Sequence, residues 1–370
     1  MKILLVTLSL IIIAGICYLQ TPKFGRLPRG KELEAIKLSP NYKNGRFQNL
    51  VPTPQMSGEN GFLSVMADYL FGKHPNTKPS YPLPSIKTDL KKIAPDKNVL
   101  IWFGHSSYFI QLNGIRLLVD PVLSRTASPV PGNVVSFDGT DIYRPEDIPE
   151  LDYVIITHDH WDHLDYPTMK KLKAKTKKVV TGLGVGAHLR HWGFTEAQIV
   201  EMDWNNKFSA ENHEIHCLPA RHFSGRGLTA NKSLWASFLL KFPDFKLYIG
   251  GDSGYGEHYK NIGSQFGQID LALLDSGQYD QNWKYIHETP EQVIQAAKDL
   301  NAAALLPVHN SRFTISNHPW NEPLERISEL GRDENFRILT PIIGEEIELD
   351  NPRQTFRPWW KDTPAALPKR

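Results

Sequence analysis

The chain has 370 residues, 41% hydrophobic and 22% charged, with a formal charge of +2, two cysteines and 14 histidines. Such values describe an ordinary globular protein with a sizeable core, and they exclude a disordered or repetitive chain. They also exclude a disulfide framework joining Cys17 to distant Cys217 and a global field drawing the chain onto nucleic acid, so no nucleic-acid partner is expected and imidazole is the ligand type to follow.

Within residues 1–20, an unbroken apolar run over 3–19 follows a single Lys2. About 17 to 25 apolar residues span a bilayer. The run does not end in the small residues of a cleavable signal, and Ile16 precedes Cys17 where a lipoprotein signal wants a small residue. It reads as a bacterial-type inner-membrane anchor in preference to a signal peptide or a buried helix, with membrane contact and a periplasmic main domain as the expectation. Lys23, Arg26, Arg29 and Lys31 follow and could meet anionic headgroups. Residues 21–94, rich in Pro, Asn, Lys and Gly, read as a linker and wrapping arm. Their one apolar patch, Phe62, Leu63, Val65, Met66, Tyr69, Leu70 and Phe71, has partly helical spacing and is expected to pack on the main domain.

A regular pattern fills residues 95–348. Val99 to Phe103, Tyr108 to Leu112 and Ile115 to Val119 read as strands, the last two joined by a two-residue turn at Asn113-Gly114. Tyr153 to Thr157, Lys178 to Thr181, Glu214 to Leu218, Trp235 to Phe242, Lys246 to Gly250 and Leu271 to Leu274 read likewise. A helix is expected from Pro290 to Leu300, capped by Thr289. The mixture fits one layered α/β domain, followed by a tail over 349–370, with no internal repeat visible. A homodimer is compatible with this organisation.

The chemistry is concentrated after Tyr153 to Thr157, where His158, His160, Asp162 and His163 fall within six residues. Two-metal hydrolysis needs neutral imidazoles and carboxylates converging from loops. Histidines at i and i+2 can reach one metal from an extended loop, while Asp162 and His163 point to a second. A hydrogen-bonded surface cluster is the plain alternative.

His158-x-His160-x-Asp162-His163 after a strand resembles the signature of the metallo-β-lactamase superfamily, whose fold is a four-layer αββα sandwich. The resemblance implies further ligands at later strand ends: His222 in Pro219-Ala220-Arg221-His222, Asp252 in Gly250-Gly251-Asp252-Ser253-Gly254 bridging both metals, and His309 in Leu306-Pro307-Val308-His309. It implies two divalent ions, zinc by default, held by His158, His160, Asp162, His163, His222, Asp252 and His309. His105, in Gly104-His105-Ser106-Ser107, matches a motif beside the metals and is expected to orient a ligand or backbone. His188, His191, His213, His216, His258 and His318 read as structural.

From Gly251 to His309 the chain is similar to the N-acylphosphatidylethanolamine-hydrolysing phospholipase D family. The similarity rests on Gly251 to Tyr255, Phe266-Gly267-Gln268-Ile269-Asp270-Leu271-Ala272 and Trp283-Lys284-Tyr285-Ile286-His287. It makes His287 a candidate to protonate or hydrogen-bond the phosphate or leaving oxygen. The implied reaction is hydrolysis of a phospholipid or other phosphodiester by a metal-bridging hydroxide oriented by Asp162 and Asp252. The chain departs from the animal enzymes at Gly277-Gln278-Tyr279-Asp280-Gln281-Asn282-Trp283, where a cationic group is lost, and at Phe223 and Asn310, where tryptophan is expected. Rival readings are a metal-dependent lactonase or other small-ester hydrolase of the same fold, a β-lactamase, and a membrane-tethered binding module without catalysis.

Overall fold

Asn113 and Gly114 take left-handed φ values of 50° and 76°, the geometry that lets a two-residue turn follow the twist of its strands. Leu112 then faces Ile115 and Tyr108 faces Val119 across an antiparallel pair. The computed structural model, which describes residues 2–58 and 61–362, extends this hairpin into a much larger assembly.

Numbered along the chain, the short hairpin β1 (Tyr42–Lys43) and β2 (Arg46–Phe47) comes first. Strands β3 (Val99–Trp102), β4 (Tyr108–Leu112), β5 (Ile115–Val119), β6 (Leu151–Ile156), β7 (Thr176–Gly182) and β8 (Ile199–Met202) build one sheet. A second follows from β9 (Lys207–Ser209), β10 (Glu214–Leu218), β11 (Ser237–Lys241), β12 (Lys246–Ile249), β13 (Leu271–Asp275), β14 (Ala304–Val308) and β15 (Arg337–Ile338). Finally β16 (Glu346–Glu348) returns to the first sheet, whose order is β16-β3-β4-β5-β6-β7-β8; that of the second is β15-β14-β13-β12-β11-β10-β9.

The two sheets repeat one pairing pattern. Running from β16 to β5, and from β9 to β12, neighbours are antiparallel; beyond β5 and beyond β12 they are parallel. The halves thus share a topology that the sequence does not display as a repeat, because pairing needs only apolar alternation and turns, not identical residues.

Alternation along the strands then makes the layers. In β6, Tyr153 and Ile155 enter the core between the sheets, whereas Val154 and Ile156 face outward. In β12, Leu247 and Ile249 point inward and Tyr248 outward. Among the helices, α1 (Lys2–Leu19), α2 (Lys31–Ile36) and α3 (Phe62–Phe71) precede the sandwich. Helices α4 (Tyr166–Leu172) and α5 (Gly186–His191) cover the first sheet through Met169, Leu172 and Leu189. Helices α6 (His258–Phe266), α7 (Pro290–Asp299) and α8 (Glu322–Leu330) cover the second through Ile262, Val293 and Ile327. The result is the four-layer αββα sandwich. Pro290 opens α7, and Gln292 Oε1 accepts from the Thr289 N–H at 3.0 Å, satisfying a donor that the helix leaves free.

The flanking segments pack on this frame. None of the α1 side chains is buried. Phe47 is fully buried, and its N–H donates to Asn231 O at 2.9 Å. In α3, Val65 is buried and Phe71 is exposed; the side chains of Phe62, Leu63, Met66, Tyr69 and Leu70 lie outside the described residues. Trp359 and Trp360 are buried, and Trp359 Nε1 donates to Pro341 O at 3.0 Å.

Candidate metal centre

Each side chain of the centre comes from the polar end of an apolar strand. After β6, Asp120 at the end of β5 grips the turn: its oxygens accept from Thr157 N at 2.8 Å and Thr157 Oγ1 at 2.6 Å. The chain that follows delivers His158, His160, Asp162 and His163 to one place. His222 follows β10, Asp252 follows β12 and His309 follows β14. Gly251 is needed beside Asp252, because its φ is +62° and a Cβ there would stand 2.9 Å from Thr157 Cβ.

Two groups result. In the first, ligand atoms of His158, His160, His222 and Asp252 lie within 4.8 Å of one another. The second joins His105, Asp162, His163 and His309 on the same criterion. Asp252 Oδ2 stands between them, 3.1 Å from His163 Nε2, 3.3 Å from His309 Nε2 and 3.7 Å from both His158 Nε2 and His222 Nε2. All seven residues expected as ligands therefore meet at one centre, buried except for part of His160 and Asp162.

The surroundings fix which nitrogen faces inward in four of the five ligand rings, those of His158, His163, His222 and His309. Thr157 Oγ1 stands 3.0 Å from His158 Nδ1, and Ile286 O accepts from His222 Nδ1 at 2.9 Å. Their Nε2 atoms lie 2.9 and 3.2 Å from His160 Nδ1. Three imidazole nitrogens facing one point cannot all satisfy one another, since a neutral ring has a single N–H. One cation would take all three lone pairs. Similarly, Asp120 Oδ2 accepts from His163 Nδ1 at 2.7 Å and Asp275 Oδ1 from His309 Nδ1 at 2.9 Å. Among the described residues, buried His163 Nε2 and Asp252 Oδ1 have no partner in hydrogen-bonding geometry, the 3.1 Å approach of His163 Nε2 to Asp252 Oδ2 being an ion-pair contact only. Carboxylates and carbonyls behind ligating histidines are the usual support of a metal site, and the donor set fits two divalent ions.

Charge tells the same story. Burial pushes His158 and His222 well below the ordinary imidazole range, and neighbouring imidazoles add to it. They are ready as neutral ligands. Burial disfavours the charged carboxylates of Asp162 and Asp252, but the imidazoles around them hold both well below the usual range. Burial likewise opposes charge on His163 and His309, yet nearby carboxylates win: His163 is raised well above its ordinary value and His309 to about 10. Without metal, these protons supply the positive charge that the centre requires.

His105 donates from Nε2 to Asp162 Oδ2 at 2.8 Å. Burial and then the His309 charge lower it to about 4, so it is a neutral donor. His287 stands with its ring 5.0 Å from that of His309, near parallel, and Asp275 Oδ2 accepts from its Nδ1 at 2.6 Å. Of the histidines expected as structural, His188 meets Asp159 at 3.1 Å and His318 Nε2 accepts from Gln278 N at 2.8 Å.

The centre opens into a cavity of about 490 Å³ whose wall is mostly apolar, with Met56, Val65, Phe223, Trp283, Ile286 and Ile315. Sequence reasoning missed Asp120, Asp275 and most of this wall. The departures at Phe223 and Gln278 fall within the cavity, Phe223 lying edge-on to His160 with ring centroids 4.4 Å apart. Gln278 spends its amide on neighbouring backbone, donating to His309 O and Phe313 O and accepting from Ile315 N. Asn310 donates to Ser276 O and Val308 O behind the centre.

Comparison with known proteins agrees with this geometry. Residues 115–310 match the family model described as Beta-lactamase superfamily domain. An uncharacterised protein of Mycobacterium tuberculosis is 36% identical over 332 residues, covering 87% of this chain and 88% of that one. N-acyl-phosphatidylethanolamine-hydrolyzing phospholipase D 1 of Caenorhabditis elegans is 29% identical over 248 residues, covering 62% of this chain and 68% of that one. Among solved structures, CmlA, a diiron β-hydroxylase from Streptomyces venezuelae, has a TM-score of 0.54 at 19% identity, over 69% of this chain and 55% of that chain, a likeness of fold alone. The chain belongs to the metallo-β-lactamase fold superfamily, with the clustered histidines and aspartates of a metal-dependent hydrolase.

Proposed function

We propose that the protein is a dinuclear-metal phosphodiesterase that cleaves a phospholipid in the manner of a phospholipase D, with N-acylphosphatidylethanolamine-like lipids as its substrate class. The observation that carries this reading is the adjacency of two ligand clusters to an apolar-walled cavity. Similarity to the nematode phospholipase supports it.

In this reading His158, His160 and His222 hold one ion and Asp162, His163 and His309 the other, with Asp252 shared. Zinc suits this donor set, though iron and manganese accept it too. Ions bound there would lower the pKa of water and polarise a phosphoryl oxygen. Asp162 and Asp252 orient the attacking water. His105 keeps Asp162 in place through its Nε2–H. His287, whose Nδ1 is committed to Asp275, has Nε2 left for the cavity that it lines. It holds a proton there and delivers it to the oxygen that departs as the phosphorus–oxygen bond breaks. Phe223, Trp283 and Ile286 exclude water and seat apolar chains. The products are phosphatidic acid and an alcohol or N-acylethanolamine, and helix α1 holds the enzyme at its substrate's membrane.

Metal-loaded full-length protein should be offered N-acylated and ordinary phospholipids, soluble phosphodiesters and lactones. Headgroup release from the lipids is expected; turnover of lactones alone would overturn the reading.

A further inference from the structure

The segment leaving α1 is built into the wall of the metal loop. Tyr18 OH donates to Pro129 O, and Lys23 Nζ donates to the same oxygen at 2.7 Å. Phe24 meets Trp161 edge to face with ring centroids 5.1 Å apart. Trp192 Nε1 donates to Pro22 O at 2.7 Å, and Arg26 N donates to His188 Nδ1 at 3.1 Å. Gly25 lies so close that a Cβ would stand 2.1 Å from His188 Nδ1.

Arg226 ties this strap to the ligands. It is buried, its guanidinium lies 4.2 Å from the Trp161 ring centre, and its Nη2 donates to Lys23 O at 2.9 Å. Its Nη1 donates to Asp159 O at 2.9 Å, inside the histidine run, and to Leu164 O at 2.5 Å, just after it. The apolar helix therefore ends on a hydrogen-bonded connection to the metal loop.

The same connection carries exposed apolar side chains. Leu228 is 88% exposed, two residues beyond Arg226; Val130 is 52% exposed, beside Pro129. Leu50 is 62% exposed and follows Asn49, whose side chain donates to His222 O at 2.7 Å and accepts from His222 N at 3.1 Å. Each sits next to a residue that grips either the strap or a ligand. Phe47 N donates to Asn231 O, linking the segment before Leu50 to the loop that carries Leu228, while Val130 follows Pro129, whose carbonyl the strap holds. Exposed apolar side chains on segments bonded to the end of a membrane-length helix are positioned to meet the lipid interface.

We propose that Tyr18 to Arg26 lock the domain to the bilayer in one orientation, with Leu50, Val130 and Leu228 resting in the lipid interface beside the metal centre. The occupant is lipid because the strap on which the membrane-length helix α1 ends is bonded to Pro129 and Arg226, next to Val130 and near Leu228 in the chain. This inference rests on reading α1 as a membrane span, but not on the reaction.

The test uses the full chain in phosphatidylethanolamine and phosphatidylglycerol vesicles. Cys17→Ser removes the exposed thiol, Cys217 being buried. Leu50→Cys, Val130→Cys, Leu228→Cys and, as control, Lys260→Cys on α6 are each labelled with an environment-sensitive fluorophore. Quenching by spin-labelled lipid should be several-fold stronger at the first three positions than at Lys260. Equal quenching at all four, or none at the three in protein that floats with the vesicles, overturns the proposal. Failure to float removes the membrane span itself and the proposal with it. Lipid turnover in the same samples reports separately on the proposed reaction.

Discussion

Asp275 accepts a 2.6 Å hydrogen bond from His287 Nδ1 with one carboxylate oxygen, while its other oxygen accepts from His309. One buried side chain thus sets the rings of the proposed proton donor and of a proposed ligand. Asp275→Asn offers an amide N–H to one of two nitrogens that already donate. A fall of roughly 10- to 100-fold in metal affinity, activity or both is expected, the usual range for lost support behind a ligand. Metal titration and kcat measured on the same variant check it; wild-type values in both would show that the clamp is dispensable.

His287 itself should separate from the ligands. His287→Ala is expected to keep two metals per chain and lose about 10²- to 10⁴-fold in kcat, the range for an acid–base group. Elemental analysis beside steady-state kinetics decides. A drop to one metal would instead make His287 a ligand, since its ring stands within reach of Asp252 and His309.

Metal affinity should rise with pH. His309 is raised from 6.5 to about 10 in the metal-free chain, so below that value an incoming ion must displace its proton. Apparent affinity is expected to gain about tenfold per pH unit for each proton displaced, and to level off above that pH. The metal-free chain shows the converse linkage. The charge on His309 contributes stability that is complete below the unfolded value of 6.5 and is lost as pH rises through about 10. Competition with a chelator across pH 6 to 10 and melting curves of both forms would read these trends. A flat affinity profile would contradict protonation of His309.

Gly251→Ala places a side chain at φ +62° against Thr157. The backbone alone costs roughly 1–2 kcal/mol for a left-handed non-glycine residue, and any shift moves Asp252 next door. A lower Tm in the metal-free state with weakened binding of both ions is expected. Loss confined to one ion would argue against Asp252 as the shared ligand.

Much of this centre is legible in the sequence because each proposed ligand sits where an apolar strand turns polar, and the histidine run has a spacing of its own. Asp120 and Asp275 end strands in the same way, but a lone aspartate carries no spacing to mark it, and its importance appears only when two distant segments converge. Short edge strands escape for a related reason. Lys207–Ser209 and Arg337–Ile338 are too brief to show alternation, and their pairing comes from neighbours in the sheet. The cavity wall is assembled from Met56, Val65, Phe223 and Ile315, far apart in the chain, so only the tertiary structure shows them as one surface. Nor does the sequence reveal that Lys23, in a stretch read as linker, donates to Pro129 and supplies the carbonyl held by Arg226.

The most direct test measures headgroup release from N-acylphosphatidylethanolamine against bound metal in one preparation, comparing wild type with the His158→Ala/Asp252→Ala double variant. Wild type should carry two divalent ions and turn over the lipid, losing activity on chelation and regaining it on metal addition, while the double variant neither fills the centre nor hydrolyses. Turnover persisting in the metal-stripped double variant would contradict the account.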